Sequence, residues 1–407
     1  MHFLFAWRYF RAKKSTNVIN IIAWICITAI VVGTAALILV LSVFNGFEGL
    51  VKSLYSSFYP DIRIGAKSGK VITLSHEQLQ KLRQVKGIKS FSLVVEEKGI
   101  LQIDENQSLV YLKGVDSNYE NTTSVAKHID DGQYDIGTAT QPKLIVGAGI
   151  EGTLGIRAAH SLFPLTIHIP RRSGSEQIDP MRDIASDTIH TSAAFMIQQD
   201  FDNTYAITHL SFLKDAMQLN PDEFTAVEVA VNDPSKTDDI KNEIVKLFNH
   251  NYLVQNRYEQ NQSLYSVMNM ERWVFYAILC LILVVAAFNM VGALTMLVLE
   301  KQKDISILNA LGADRNFILR IFLNEGFLLA IIGGTIGMLL ALGMVMIQQQ
   351  FHVIPLTGGS FLINYFPVEL RLADFILVTV TVIVIAFIAS FVPALKASRQ
   401  EFSLRAE

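Results

Sequence analysis

Four long uncharged stretches constrain the fold of this chain more than any other feature. A helix needs about 20 apolar residues to cross the hydrocarbon core of a membrane. The uncharged stretches approach or exceed that length, and they cover residues 18–43, 273–299, 327–346 and 375–392. We expect the third helix to begin earlier, near Arg315, and the fourth stretch stops at Pro393, a residue that usually ends or kinks a helix. The sequence therefore predicts four membrane-spanning helices.

The first stretch also invites comparison with a secretory signal peptide, because it lies near the N-terminus. The apolar core of a typical signal peptide has about 7–15 residues and is followed by a small-x-small cleavage site. This stretch is longer, and no such site follows it, so we expect a retained helix. Ahead of it, Phe3, Trp7 and Phe10 recur at helical spacing and basic residues follow them. This pattern is typical of an amphipathic helix that lies on the inner membrane surface.

Lysine and arginine residues near the spans predict the orientation of the chain, since short cytoplasmic loops are enriched in both. The loop between the third and fourth spans, residues 348–372, contains a single lysine or arginine, Arg371. Basic residues instead precede the first span, separate the second from the third and follow the fourth: Arg8, Arg11, Lys13, Lys14, Lys301, Lys303, Arg315, Arg320, Lys396, Arg399 and Arg405. Both termini are therefore predicted to be cytoplasmic, and residues 46–268 extracytoplasmic.

The predicted fold is an α-helical membrane protein with four transmembrane helices and a large extracytoplasmic α+β domain between the first and second helices. The expected segments are an amphipathic helix (1–16), transmembrane helix 1 (17–45), the extracytoplasmic domain with a stalk (46–268), transmembrane helix 2 (269–299), a cytoplasmic connecting helix (300–314), transmembrane helix 3 (315–347), an extracytoplasmic loop (348–372), transmembrane helix 4 (373–395) and a cytoplasmic tail (396–407).

The extracytoplasmic segment has the residue patterns of a folded domain. Residues 91–115 are rich in β-formers around the polar turn DENQ, which predicts a β-hairpin. Further strands are expected at 165–170, 191–198 and 225–231, and helices at 77–85, 210–219 and 235–248. From Arg257 the chain runs without Pro or Gly into the second span, which predicts one long helix as a stalk. The only cysteines, Cys26 and Cys280, lie in apolar runs, so this domain has no disulfide.

No residue pattern for catalysis or for cofactor binding occurs in the chain. The phosphate loop G-x-x-x-x-G-K-[ST] and the motifs C-x-x-C, H-E-x-x-H and G-x-S-x-G are absent. The histidines lack the spacing of metal ligands, and a net charge of -3 gives no indication of a nucleic-acid partner. Glu325, near the start of the third span, is interpreted as structural, because its register places it near the membrane interface. We expect a non-catalytic subunit with no metal site.

The connecting segment between the second and third spans combines charged and apolar residues on a short predicted helix that ends at a glycine. Exposed apolar residues on such a connector need a partner, either lipid headgroups or another protein. The residues concerned are Glu300, Lys301, Lys303, Asp304, Ile305, Ile307, Leu308, Leu311 and Gly312. In the third span, Gly333, Gly337 and Ala341 recur every four residues, a small-xxx-small pattern that lets helices pack closely.

These segments resemble a known group of membrane proteins. EKQKDISILNALGA is similar to the coupling-helix signature of FtsX/MacB-type ABC permeases. LSVFNGFE (41–48), AAFNM (286–290) and LEKQKDISIL (299–308) resemble more closely the LolC/LolE lipoprotein-releasing permeases, as do the order of elements and the closing PALKASR. In the outer domain only LIVGAGIEGTLGI (144–156) resembles that family, with Glu151 and Gly152 in place of small apolar residues.

The resemblance implies a permease subunit in the bacterial inner membrane that works with a separate ABC ATPase dimer and with a second permease copy or a paralogue. ATP and Mg would be bound by the ATPase, and the connecting segment would dock on it as a coupling helix. ATP-driven closure would push a triacylated lipoprotein from the outer leaflet to a LolA-like periplasmic carrier for outer-membrane sorting. The periplasmic domain would then be MacB-like.

Two further sites follow from the resemblance and from position in the chain. The lipoprotein cleft is expected at the outer half of the first span and the start of the second, at Val40, Val43, Phe44, Asn45, Phe47, Trp273, Phe275 and Tyr276. The polar loop 171–186 is interpreted either as a solvated loop or as a hook for the carrier, with Arg171, Arg172, Gln177, Pro180, Met181 and Arg182 as its binding residues.

An alternative function is mechanotransmission of the MacB or FtsX kind, in which the permease drives an efflux partner or a cell-wall hydrolase. The LSVFNGFE and AAFN sequences favour lipoprotein release, and no ATPase is fused to this chain as in MacB. A receptor is disfavoured because the cytoplasmic side has no output domain. An ion or peptide carrier is disfavoured because the predicted spans are nearly free of polar residues. The sequence leaves open whether the permease pairs with itself or with a related chain.

Overall fold

A computed structural model describes residues 17–161, 163–171, 184–249, 251–356 and 365–399, with side chains from residue 21 onward. Several predicted features lie outside the described residues. They are the amphipathic helix 1–16, residues 172–183 of the predicted carrier loop, residues 357–364 of the predicted extracytoplasmic loop, and residues 400–407 of the tail.

The chain divides into two compact units. Of the described residues, the first contains 17–50, 266–356 and 365–399, and the second contains those between 51 and 265. Among the described residues, four helices are long and apolar enough to cross a membrane. These are α1 (Asn17–Phe58), α9 (Gln262–Glu300), α11 (Arg315–Phe351) and α12 (Leu372–Ser398). A short helix, α10 (Gln302–Ala310), connects α9 to α11. The four predicted spans thus correspond to four long helices.

Small residues in α11 let it pack closely on α1. A Cβ atom on Gly333 would lie 2.9 Å from Cβ of Ile30, and one on Gly337 would lie 2.6 Å from the carbonyl oxygen of Val31. Real Cβ atoms do not approach other atoms so closely, so only glycine fits at either position. Ala341, one step further along the predicted pattern, is fully buried.

One helix extends beyond its predicted end, and another is interrupted. The α12 helix continues through Pro393 to Ser398, beyond the predicted end at residue 395. Proline is tolerated inside membrane helices where neighbouring groups take over the freed backbone positions, and Pro393 is buried. The predicted stalk from Arg257 is not one helix, because the chain leaves helical geometry at Asn261, between α8 (Arg257–Gln260) and α9.

The second unit is built on a twisted sheet with the order β12-β1-β11-β3-β4-β9-β6-β8-β5, and β7 pairs with β3 and β8. Neighbours are antiparallel except for β4 with β9 and β6 with β8. The strands of this sheet are β1 (Ile62–Ala66), β3 (Ile88–Ile103), β4 (Asn106–Val115), β5 (Ile129–Gly132), β6 (Lys143–Gly147), β7 (Leu165–Pro170), β8 (Ile184–Phe195), β9 (Tyr205–His209), β11 (Ala226–Val231) and β12 (Tyr252–Asn256). A small separate sheet pairs β2 (Ile72–Thr73) with β10 (Glu223–Phe224).

The helices of the second unit lie between these strands and cover the sheet. They are α2 (His76–Gln84), α3 (Tyr119–Thr122), α4 (Ala148–Leu154), α5 (Gln199–Asp202), α6 (Leu210–Met217), α7 (Thr237–Leu247) and α8. The predicted hairpin is β3–β4, with Gln102 opposite Gln107 next to the turn. The α2 helix begins with a capping box, in which the side chain of Ser75 accepts a hydrogen bond from the amide of Gln78 and the side chain of Gln78 accepts one from the amide of Ser75.

Candidate functional site

The connecting helix α10 is anchored to the first unit by one buried side chain. Ile305 is only 3% exposed and packs with Leu297, Phe322 and Ala394 from α9, α11 and α12. Lys301 precedes the helix, and its Nζ lies 3.0 Å from a carboxylate oxygen of Asp304. Glu300, which was grouped with the connecting helix, is instead the last residue of α9. These contacts hold α10 at the ends of the long helices.

The opposite face of α10 is exposed. Lys303, Ile307 and Leu311 are spaced four residues apart, so they lie on one side of the helix. All three are exposed, with Ile307 59% and Leu311 79% accessible, whereas Leu308 is partly buried. Exposed aliphatic side chains next to a basic one form a surface suited to a partner, either lipid headgroups or another protein.

A glycine and an aspartate set the turn between α10 and α11. Gly312 has φ of 90°, in the region that favours glycine, and its amide donates to the carbonyl of Asn309. The side chain of Asp314 then accepts a hydrogen bond of 2.9 Å from the amide of Phe317 and caps α11. This turn therefore fixes the direction of α10 relative to α11.

The predicted cleft residues do not all share one surface. The rings of Phe44 and Phe275 are in contact, with centroids 5.1 Å apart, and Val40 and Val43 are partly buried on the same part of α1. Trp273 is 56% exposed, and its ring lies edge-on to that of Tyr276. Asn45 is fully buried and Phe47 packs edge-on against Phe366, so these two side chains face the segment before α12.

A continuous apolar seam runs along α1 and α9. A Cβ atom added to Gly33 of α1 would lie 2.6 Å from the Cδ2 atom of Leu283 in α9, so the two helices are in close contact here. Beyond this contact, exposed side chains of both helices line an open groove of about 680 Å³, among them Trp24, Val32 and Val285. The predicted cleft residues lie at one end of these helices, and the groove lies towards the other.

A buried polar cluster at the C-terminal end of α1 was missed by the sequence analysis. Asp374 is 2% exposed, and its two carboxylate oxygens accept hydrogen bonds from Asn45 at 2.5 Å and from Arg272 at 2.6 Å. Next to it, Arg371 pairs with Glu48 at 2.9 Å. These spans were described as nearly free of polar residues, because Arg272 and Asp374 fall just outside the uncharged stretches.

The other predicted sites are described only in part. Arg171 is exposed at the end of β7, and the remaining residues assigned to the carrier loop lie outside the described residues. Within the described ranges, no group of three or more His, Cys, Asp or Glu side chains could hold a metal ion. Glu325 is buried in α11.

Comparison with known proteins places these features in a family context. The family described as FtsX-like permease C-terminal matches residues 276–402. The chain is 28% identical to the lipoprotein-releasing system transmembrane protein LolE of Haemophilus influenzae, over 98% of this chain and 97% of that protein. It is 25% identical to LolC of Xylella fastidiosa, over 96% and 95% of the two chains, and 24% identical to LolC of Neisseria meningitidis, over 98% of each.

Two solved structures also match part of the chain. The extracellular domain of the ABC-type transporter YknZ from Gram-positive bacteria matches with 13% identity and a TM-score of 0.33, over 48% of this chain and 98% of that one. The periplasmic region of MacB from Actinobacillus actinomycetemcomitans matches with 11% identity and a TM-score of 0.35, over 52% of this chain and 94% of that one.

Proposed function

We propose that this chain, a permease of the LolC/LolE type, is the membrane-spanning subunit of an ABC transporter that releases lipoproteins from the inner membrane. Its similarity to LolE and LolC proteins over nearly the whole of both chains is the observation that carries this proposal. The alternative function is mechanotransmission of the MacB or FtsX kind, in which the permease drives an efflux partner or a cell-wall hydrolase.

The chemistry of the cargo explains why such a transporter needs ATP. Each methylene group of a lipid anchor contributes about 0.8 kcal/mol to membrane binding, and a triacylated lipoprotein buries dozens of them. Spontaneous extraction is therefore too slow to be useful. The machine must lift the acyl chains out of the outer leaflet and pass them on while they are shielded from water.

The exposed face of α10 is proposed as the coupling surface for a separate cytoplasmic ATPase dimer, which would bind the ATP and Mg. Ile307 and Leu311 would enter an apolar groove of the ATPase, with Lys303 at the rim of the contact. Anchoring of Ile305 beneath α9, α11 and α12 supports this role, since a force applied to α10 would reach three long helices directly.

The remaining parts of the proposal concern topology and cargo. Both termini would be cytoplasmic and the second unit periplasmic, in agreement with the distribution of Lys and Arg. The chain would pair with a second copy or a paralogue, and acyl chains would contact the α1–α9 seam around Phe44 and Phe275. A LolA-like carrier would receive the lipoprotein, with the 171–186 loop as its docking site.

Depletion of the protein from cells, followed by separation of the two membranes, tests the proposed function. We expect an abundant outer-membrane lipoprotein to accumulate in its mature triacylated form in the inner membrane. An unchanged distribution, together with drug sensitivity or a failure of cell separation, would instead support mechanotransmission and overturn lipoprotein release.

A further inference from the structure

The sequence Asn45-Gly46-Phe47-Glu48 near the C-terminal end of α1 contacts the segment that leads into α12. We call residues 365–371 of this segment the strap. The Nδ2 atom of Asn45 lies 3.3 Å from the carbonyl oxygen of Glu369, which it contacts in addition to the Asp374 carboxylate. A Cβ on Gly46 would lie 2.3 Å from the carbonyl oxygen of Pro367, so the strap backbone rests directly on this glycine.

The next two residues of the sequence continue the contact. Phe47 packs edge-on against Phe366, with ring centroids 5.3 Å apart, and Glu48 pairs with Arg371 at 2.9 Å. One turn earlier, the carbonyl oxygen of Ser42 accepts a hydrogen bond of 2.9 Å from the amide of Glu369. Backbone, apolar and charged contacts thus join α1 to the strap at successive positions.

The α9 helix is held to the same cluster by fewer contacts. Arg272 pairs with Asp374 through a single nitrogen at 2.6 Å, and its side chain remains 28% exposed. Tyr276 makes one further polar contact with α12, through the hydroxyl of Thr381. Within the described part of this chain, the most apolar stretch of α9 is 17% buried, and that of α1 is 56% buried. Of these two helices, α9 is therefore the more easily displaced.

Asp374 connects the strongly held helix to the weakly held one. One of its oxygens is bound by Asn45 of α1 and the other by Arg272 of α9. If Arg272 leaves, the carboxylate keeps the Asn45 hydrogen bond and its place in the α1–α12 contact. Arg272 is already partly exposed and would move into a more hydrated setting. Separation on the α9 side leaves the buried carboxylate with the Asn45 hydrogen bond alone, a cost that ATP-driven movement would have to supply, so the pair stays closed at rest.

We infer that the N-G-F-E sequence fixes α1 to α12 as one body, and that the Arg272–Asp374 ion pair is the releasable tie that closes the α1–α9 seam. Asn45, Arg272 and Asp374 are then positioning residues for lipoprotein release. They set whether Phe44 and Phe275 stay in contact or separate to admit an acyl chain. This inference rests on the proposed function and names the contact that opens in it.

Reversible cross-linking in the full permease–ATPase complex tests the inference. In a background with Cys26 and Cys280 replaced by alanine, Phe44→Cys and Phe275→Cys would be joined by a short, reducible bis-methanethiosulfonate. The matched control joins Phe47→Cys to Phe366→Cys, across the contact proposed to stay closed. Release of a triacylated lipoprotein from proteoliposomes to purified carrier is measured beside ATP hydrolysis, before and after reduction.

We expect the 44–275 cross-link to reduce release to the level seen without ATP, with hydrolysis retained, and reduction to restore it. The 47–366 cross-link should leave release unchanged. Unimpaired release with the 44–275 cross-link, or loss of release with the 47–366 cross-link, would overturn the inference. Absence of ATP-dependent release from the cysteine-free complex and from the unmodified complex would count against the proposed function itself.

A second measurement does not depend on cross-linking. Arg272→Gln and Asp374→Asn should increase the rate at which a membrane-confined maleimide labels Phe44→Cys, a partly buried position, whereas Arg272→Lys should keep the rate near that of the unsubstituted protein. A purely structural role for the ion pair predicts lower protein levels without faster labelling. Equal labelling rates in all three variants would contradict a releasable tie.

Discussion

A buried lysine and a buried glutamate form an ion pair in the α/β unit. Lys113 Nζ lies 2.7 Å from Glu228 Oε1, both side chains are 2% exposed, and the ammonium group also lies over the rings of Phe58 and Tyr119. Removing one partner of a buried pair leaves an uncompensated charge, which costs about 3–5 kcal/mol. Replacing both partners with apolar residues of similar size avoids this penalty.

We therefore expect Lys113→Met and Glu228→Leu each to destabilise the unit strongly, and the double variant to be more stable than either single one. Hydrogen–deuterium exchange of β4 and β11 in the detergent-solubilised protein would report the difference. If the two single effects simply add in the double variant, the pair is not the source of the loss.

A second residue-scale prediction concerns pH. Burial raises the pKa of Asp202 to about 6, although the amide of Ile197 donates a hydrogen bond to its carboxylate. Because the pKa in the folded state lies above the unfolded value of about 3.9, the folded state binds more protons between these values. The contribution of Asp202 to stability is therefore fully present below about pH 4, falls as pH rises towards 6, and is absent above that.

Asp202→Asn removes this titration. The stability of the unsubstituted protein relative to the variant should fall by up to about 3 kcal/mol between pH 4 and pH 6.5, and then remain constant. Thermal unfolding of both proteins across this range, followed by circular dichroism, measures the difference. A difference that does not change with pH would show that the carboxyl keeps an ordinary pKa.

At the same scale, individual residues can be predicted from the sequence more readily than their partners. Asn45 and Phe47 were selected because LSVFNGFE resembles a family sequence, and they were assigned to a cleft. Their contacts with Asp374 and Phe366 join positions more than 300 residues apart. No local pattern indicates such pairs, and Arg272 and Asp374 look like ordinary flanking charges at the ends of apolar runs.

Among the elements, the contact between α1 and α11 depends on glycine. Gly337→Ala would place a Cβ 2.6 Å from the carbonyl oxygen of Val31 and force the helices apart. Overpacking of this kind typically costs about 1–3 kcal/mol. Gly343 on the same helix has open space around its Cβ position, so Gly343→Ala is the matched control.

We expect Gly337→Ala to lower the melting temperature of the detergent-solubilised protein. Gly343→Ala should leave it unchanged or raise it slightly, since alanine is favoured over glycine in a helix by about 1 kcal/mol. Equal melting temperatures for the two variants would show that α1 and α11 can separate at this point without loss.

Elements with strong local signals were predicted well. The hairpin β3–β4, the strand β7 and the helix α6 lie where alternation, helical spacing and turn residues indicated. Packing overrides local propensity at Pro393, which stays inside α12 as the predicted bounds 373–395 allowed. The prediction of one continuous stalk failed at Asn261, a residue type that occurs at helix C-termini and that ends the short helix α8 here.

At the scale of the whole molecule, the four apolar helices and the α+β character of the second unit follow from composition and periodicity alone. The strand order does not, because β9 lies between β4 and β6, and β11 between β1 and β3. Such insertions depend on contacts between distant parts of the chain, which a single sequence does not reveal. The same limit applies to α10, where helical spacing predicts an exposed face but not the burial of Ile305.

The exposed face of α10 is predicted to bind the ATPase in the complete complex. Ile307→Asp with Leu311→Asp places two charges on the outer face of α10, where neither side chain supports the fold. The protein should therefore reach the membrane in normal amounts. Loss of the apolar contact should nevertheless abolish co-purification of the ATPase and ATP-dependent lipoprotein release. Ser306→Ala, on a different face of the same helix, serves as the control and should retain both activities.

Ile305→Ala should instead lower protein stability by about 2–5 kcal/mol, because it empties a buried site. If the double aspartate variant still binds the ATPase and supports release, α10 is not the coupling surface, and the force from ATP hydrolysis must enter the permease elsewhere.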